Sequence, residues 1–182
     1  MIKNILYFTL ILLILTLIKE FYIDLFYVIF MSVFSVEKIM HYTAYQIFAI
    51  IADVASYPQF LPWCKQVNIM QKFSPQNFHA ELSIAFHHIL QKYTSNVVLT
   101  HLNTHAFIIE ANAIKGPFQK LHSKWQITGL DNNCCKVNFF LDFTFNSFLL
   151  NKTIGLVFSS ASQKMIDAFE KRAMQLYSQK LL

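Results

Sequence analysis

Alternation of apolar and polar residues over most of the second half of the chain constrains its fold more than any other feature. It runs through residues 79–86, 93–99, 107–111, 123–127 and 137–146. Successive side chains of a strand point to opposite faces, so each run predicts a strand with one buried and one solvated face. Turn-forming residues at 74–75, 103, 116–117 and 131–133 separate the runs. The pattern predicts an antiparallel meander.

Helical periodicity flanks this sheet on both sides. A strand is predicted at 35–42 and a short amphipathic helix at 44–54, followed by a turn with prolines at 58 and 62. Residues 148–178 carry an apolar stripe at three- and four-residue steps that includes Met165, Phe169 and Leu176. The order predicts an α+β domain over residues 31–182, in which a curved antiparallel sheet wraps around a long C-terminal helix.

A curved sheet around one helix leaves an interior, and the alternation predicts which side chains face it. Two interpretations stay open for them: they fill the core, or they line a cavity for an apolar ligand. The chain has 19 phenylalanines, more aromatic material than closing a domain of about 150 residues needs, and this favours the cavity. The predicted inward positions are Leu82, Ile84, Phe86, Tyr93, Val97, Phe107, Trp125, Phe139, Phe143, Met165 and Phe169.

Catalytic motifs are not evident. The sequence has no nucleophile elbow, phosphate-binding loop, dinucleotide fingerprint or paired-histidine zinc motif. His79 and Glu81 have deaminase spacing, but the cysteine pair that would complete that zinc site is missing. Glu81, Glu110 and Asp142 are expected on the outer face. We therefore predict a binding protein with no catalytic residues, metal ligands or cofactor.

Charge and cysteine content restrict the partners. The net charge of +5 comes from dispersed lysines and a single arginine, which argues against DNA as a partner. A mild attraction to an anionic membrane surface or to ribosomal RNA stays open. Cys64, Cys134 and Cys135 form no metal-binding pair motif, and this favours a reduced, intracellular compartment.

The first 30 residues differ from the rest. Residues 5–18 form an uncharged apolar run, in a chain that is 55% hydrophobic and only 14% charged. Runs of this length are shorter than the roughly 20 residues of a spanning helix. Residues 1–30 are therefore interpreted either as a short membrane anchor or as a stretch outside the folded protein, with Met31 as a candidate initiator.

Four ordered motifs carry a family resemblance. They are Tyr-Pro-Gln-Phe-Leu-Pro-Trp-Cys at 57–64, Gln-Lys-Tyr-Thr-Ser at 91–95, Gly-Pro-Phe-Gln-Lys-Leu at 116–121 with Trp125, and Ala-Phe-Glu-Lys-Arg-Ala at 168–173. Over residues 35–178 the chain resembles the coenzyme Q-binding START-domain proteins. It also resembles their bacterial relatives, the RatA-type ribosome association proteins, which are also described as oligoketide cyclase or lipid transport proteins of the polyketide cyclase/dehydrase type. The resemblance implies a helix-grip, START-like fold.

The resemblance also implies a function. The cavity would bind ubiquinone or a similar polyprenyl lipid, and Leu61, Pro62, Trp63 and Phe118 would join the ligand-binding set. Pro62 and Trp63 would lie at its mouth; alternatively, Pro62 ends a helix and Trp63 is a core lid. The protein would be cytoplasmic, on the surface of a bacterial inner membrane. The alternatives are binding to the large ribosomal subunit, as in RatA, and a polyketide cyclase or dehydratase.

Overall fold

The computed structural model describes residues 32–86, 89–131 and 133–177, together with Thr16 and Lys19. The N-terminal segment 1–30, interpreted above as a membrane anchor or a stretch outside the folded protein, lies outside the described residues except at those two positions. None of the helices within these ranges is long and apolar enough to cross a membrane.

One antiparallel sheet dominates the described ranges, as the alternation predicts. Its seven strands follow the spatial order β1-β7-β6-β5-β4-β3-β2. Strands β1 and β2 are therefore the two edges, β1 pairs with β7, and each connection from β2 to β7 joins neighbouring strands. The strands are β1 Ser32–Met40, β2 Cys64–Ser74, β3 Asn77–Phe86, β4 Ile89–Asn103, β5 Ala106–Lys115, β6 Phe118–Asp131 and β7 Cys134–Phe145. The first strand begins and ends earlier than predicted, because its register against β7 runs from Ser32 to Met40.

Two short helical segments connect β1 to β2. Helix α1 spans Ala44–Ala52, and a reciprocal capping box closes its N-terminus: the Gln46 amide donates to the Thr43 hydroxyl, and the Thr43 amide donates to the Gln46 side chain. A 3-10 helix, Val54–Gln59, follows at once. The Tyr57 hydroxyl donates to the Ile51 carbonyl over 2.5 Å and ties the two segments together.

The 30-residue helix α2, Phe148–Tyr177, lies against the sheet, and its described side chains bury one face. Ile166, Phe169 and Ala173 are fully buried, whereas Leu176 is 41% exposed. The prediction that Leu176 belongs to the apolar stripe is wrong: steps of three and four residues lead from Ile166 through Phe169 and Ala173 instead.

An ion-pair cluster attaches this helix to the edge of the sheet. Lys38 of β1 reaches Glu170 over 2.7 Å and Asp167 over 3.3 Å. Burial lowers the pKa of Lys38, but the hydrogen bonds and charges of the two carboxylates outweigh that effect and raise its pKa overall. The cluster therefore holds β1 and α2 together at the open side of the fold.

Candidate functional site: an apolar cavity

A cavity of about 230 Å³ lies between the concave face of the sheet and helix α2. Its walls come from the 3-10 helix, from β2 to β7 and from α2. The lining residues are Val54, Tyr57, Leu61, Trp63, Cys64, Leu82, Ile84, Tyr93, Ser95, Val97, Ile109, Ala111, Phe118, Leu121, Ser123, Trp125, Phe139, Leu141, Phe143, Phe145, Met165 and Phe169.

The space exists because three small side chains lie side by side across the middle strands. Ala111 of β5 pairs with Ser123 of β6, and Ser95 of β4 precedes Val97, which pairs with Ala111. Paired residues of neighbouring strands share a face, so Ser95, Ala111 and Ser123 form one patch of the inner surface, the small-residue floor. Side chains this short leave empty the volume that leucine or phenylalanine would fill in a close-packed core.

Aromatic clusters enclose the floor at both ends. At one end the Trp125 ring lies 4.2 Å from that of Phe139 and 5.0 Å from that of Phe169, between centroids. At the other end, the Phe118 ring stacks on Phe145 at 4.5 Å and meets Tyr93 edge-on at 5.2 Å. The pairing of β6 with β7 explains why the two aromatic clusters are apart: Trp125 pairs with Phe139, and Phe118 pairs with Phe145 further along the strands. The result is a pocket with π-faces at both ends of a small, partly polar floor.

The ionisable groups on this lining are neutral at physiological pH. Burial raises the pKa of the Cys64 thiol from 9.0 to about 11. Burial likewise raises the pKa of the Tyr57 and Tyr93 hydroxyls well above the ordinary value of 10.0. Among the described residues of the lining, none is Asp, Glu, Lys, Arg or His. The structure thus presents an apolar surface with a few neutral hydroxyl and thiol groups.

The acidic residues of the sheet lie elsewhere. Asp142 separates the lining residues Leu141 and Phe143, so its carboxylate points to the other face, where it binds Lys120. It is nevertheless buried there. Glu110 pairs with Lys124 over 3.5 Å. Within the described ranges no group of three or more metal-ligating side chains comes together.

Most of the predicted ligand-binding residues meet at this cavity: Leu61, Trp63, Leu82, Ile84, Tyr93, Val97, Phe118, Trp125, Phe139, Phe143, Met165 and Phe169. Phe107 points inward as expected but lies outside the lining, because α1 covers that end of β5 and Phe48 stacks on the Phe107 ring at 4.6 Å. Pro62 is exposed in the turn before β2 and also lies outside the lining. The side chain of Phe86 is outside the described residues.

The prediction did not include several lining residues. Ser95, Ala111 and Ser123 share the inward face with predicted residues, and alternation alone places them there; their small size concealed their part in the cavity. Tyr57 and Val54 come from the 3-10 helix, which hydrophobic periodicity does not reveal. The other residues not predicted are Cys64, Ile109, Leu121, Leu141 and Phe145.

Half-buried Trp63 lies at the start of β2, where the chain leaves the proline turn. Its carbonyl accepts a hydrogen bond from the Ala85 amide over 2.8 Å, which fixes its backbone to β3. Its side chain lines the cavity. A half-buried indole on the lining is consistent with the expected position at the mouth.

Comparison with known proteins agrees with this architecture. The chain is 38% identical over 143 residues to the ribosome association toxin RatA of Rickettsia prowazekii, covering 79% of this chain and 97% of that protein. It is 27% identical to the mitochondrial coenzyme Q-binding protein COQ10 homolog B of Xenopus laevis, over 79% of this chain and 59% of that one. The Zhui aromatase/cyclase of a Streptomyces species has the same fold, with a TM-score of 0.70 at 15% identity over 80% of this chain and 94% of that one.

A family model places these resemblances in one group. The model described as polyketide cyclase / dehydrase and lipid transport matches residues 40–170, which include every strand from β2 to β7, the small-residue floor and the cavity-lining part of α2. The curved antiparallel sheet, the long C-terminal helix and the apolar cavity between them agree with that match. The chain belongs to the polyketide cyclase / dehydrase and lipid transport family, with a START-like, helix-grip fold.

Proposed function

We propose that this protein binds a polyprenyl quinone such as ubiquinone in the cavity beneath α2 and carries it at the cytoplasmic surface of a bacterial inner membrane. One observation carries the proposal: the lining is apolar and aromatic, and none of its described side chains is charged. A prenyl chain gains about 0.8 kcal/mol for each CH2 group that it buries, so such a surface suffices for binding. The 27% identity to a coenzyme Q-binding protein supports the same ligand class.

The chemistry of the lining supports binding in preference to catalysis. A cysteine nucleophile needs its thiolate, and a thiol with a pKa of about 11 is almost entirely protonated at pH 7. The Tyr57 hydroxyl already donates to the Ile51 carbonyl, and burial keeps the Tyr93 hydroxyl neutral. A general acid-base pair would need a group with a pKa near the working pH. We therefore propose a carrier rather than a cyclase or dehydratase.

Lipid extraction from the purified protein tests this function. Native mass spectrometry followed by analysis of the extract should find quinone enriched relative to the membrane lipids of the expression host. A variant with its cavity filled, Ala111→Leu, is the control and should lose that enrichment while remaining folded. An extract without quinone, or equal quinone in both proteins, would count against the proposal.

A second candidate function is association with the large ribosomal subunit. The observation that favours it is the 38% identity to RatA over 97% of that protein. A surface site on α2 suits an anionic partner: the Arg172 guanidinium donates to the Gln59 side chain over 2.9 Å and lies 5.5 Å from the centre of the Phe60 ring, with exposed Lys171 beside it. Cations beside an aromatic ring and amide groups suit an RNA backbone.

Co-sedimentation with purified ribosomal subunits tests the second candidate. Binding to phosphates releases counterions, so the bound fraction should fall as salt is raised from about 50 to 200 mM. Arg172→Gln should weaken binding, and Lys65→Gln, which removes an exposed charge in β2, is the matched control. Binding that is absent at low salt, or unchanged by salt, would refute this role.

A further inference from the structure

One hydroxyl on the cavity lining is buried without a hydrogen-bond partner in the part of the chain that the structure describes. The side chain of Ser95 is 2% exposed, and its Oγ has no partner among the described residues. Buried polar atoms normally have a partner in the protein or in ordered water. Ser95 therefore marks a place where the cavity offers a hydrogen bond that the protein itself does not use.

The neighbouring strands explain why the Ser95 hydroxyl has no hydrogen-bond partner among the described residues. Its register neighbours on the same face are Ala80 of β3 and Ala113 of β5, and neither methyl group can form a hydrogen bond. No described backbone group accepts from or donates to the Ser95 Oγ either, although the β4–β5 register shifts beside it. The hydroxyl can be satisfied only from the cavity side, by water or by a ligand atom.

The rest of the lining restricts the chemistry of that ligand atom. A carboxylate or phosphate would lose its hydration without gaining an ion partner, since the lining, as far as the structure describes it, carries no charged side chain. A neutral oxygen, such as a ring carbonyl, would accept a hydrogen bond from the Ser95 hydroxyl. Removing such an oxygen from water costs much less free energy than removing a charged group. The aromatic clusters on both sides of the floor suit a flat ring.

Size limits how much of the ligand the cavity can hold. The cavity of about 230 Å³ lies below the roughly 300–1,000 Å³ typical of sites that enclose a whole small molecule. Only part of a long-tailed lipid therefore fits, and the Ser95 hydroxyl and the aromatic clusters favour the ring as that part.

From these observations we infer that the ligand is a neutral lipid that enters ring first, and that the Ser95 hydroxyl donates a hydrogen bond to an oxygen on its ring. The inference rests on the proposed function and deepens it. It separates the ligand from fatty acids and phospholipids, whose polar ends are charged. Ser95 is thus a residue that selects for an oxygen-bearing ring.

Calorimetric titration of the delipidated full chain with two tail-matched compounds tests the inference. One is a short-tailed ubiquinone analogue, and the other is an alkylbenzene with the same tail and no ring oxygen. Ser95→Ala should weaken quinone binding about threefold to tenfold, the usual worth of one neutral hydrogen bond, and leave alkylbenzene binding unchanged. The ligand-free variant should melt no lower than the native protein, because it loses a buried hydroxyl without a partner.

Ser83→Ala is the matched control, since Ser83 is a buried serine next to Leu82 on the opposite face of β3. It should leave both affinities unchanged. Ser95→Cys, a weak donor of similar size, repeats the comparison if the alanine variant fails to fold. Equal weakening of both ligands, or native quinone affinity in the Ser95 variants, would overturn the inference and leave the proposed function standing. A native protein that binds neither compound would overturn the proposed function and the inference with it.

Discussion

Filling the cavity from its floor should make the ligand-free protein more stable. Ala111 lies between Val97 and Ser123 in the register and points into the empty volume. In Ala111→Leu, three added carbon atoms would leave water for an apolar space, worth about 2.4 kcal/mol at 0.8 kcal/mol each. Ordering the leucine side chain costs about 0.5–1 kcal/mol. We therefore expect the free energy of unfolding to rise by about 1.5 kcal/mol.

Urea denaturation of the delipidated protein measures this change, and thermal unfolding should show a rise of about 3–6 °C for a domain of this size. The same substitution at Ala173 is the control. Ala173 is fully buried on α2 and lies outside the lining, so added volume there must displace its neighbours. Overpacking of this kind costs about 1–3 kcal/mol, and Ala173→Leu should destabilise the protein.

The two variants give opposite signs only if the cavity is real. If Ala111→Leu destabilised the protein as much as Ala173→Leu, the residues around Ala111 would be close-packed. The inner aromatic residues would then be ordinary core, which is the alternative that the sequence leaves open. Quinone binding by Ala111→Leu should also weaken, since the new side chain occupies ligand volume.

Three further perturbations test other parts of the structure. Gly116→Ala should lower the free energy of unfolding, measured in urea, by about 2 kcal/mol or more, because Gly116 has a φ of 135° and a new Cβ would lie 2.5 Å from that of Tyr93. An unchanged urea midpoint would contradict that geometry. Raising the pH from 9 to 11 should lower the free energy of unfolding by up to about 2–3 kcal/mol for each of Cys64 and Cys135, because unfolded thiols ionise near pH 9 and the folded ones near 11. The double alanine variant should lose less stability over the same range, and an equal loss would contradict this reasoning. Lys38→Met should lower the free energy of unfolding by about 0.5–1 kcal/mol and speed amide hydrogen exchange in β1. Equal exchange rates in the variant and the native protein would show that the ion pairs of Lys38 do not stabilise that strand.

The sequence predicts the sheet well because strand alternation is a local property. Each inward residue of β3, β4 and β7 can be identified from its neighbours two positions away. The position of α1 does not follow from local sequence. Phe107 contacts Phe48 of α1 and not the cavity because that helix, which is distant in sequence, packs against this end of β5. Periodicity therefore places Phe107 on the correct face but cannot tell which part of the interior it reaches.

The small-residue floor illustrates a second limit. Ser95, Ala111 and Ser123 are unremarkable along the chain, and they become a site only when three strands align them. Alignment depends on register, which two bulges shift in the β4–β5 pair, including one between Thr94 and Ser95. Large aromatic residues indicate from sequence that an interior exists. The absence of side-chain volume, which makes the interior a cavity, is visible only in the structure.

The two candidate functions use different surfaces of the same helix, so they can be separated by substitution. Phe169 of α2 lines the cavity, while Arg172, one turn later, lies over Phe60 on the outside. Ala111→Leu should weaken quinone binding and leave ribosome co-sedimentation intact, and Arg172→Gln should do the reverse. The surfaces are nevertheless in contact, because the Phe60 ring also meets that of Phe169 at 5.2 Å. Sedimentation must therefore be measured with and without quinone, since only equal binding in both conditions would establish that the two surfaces act independently.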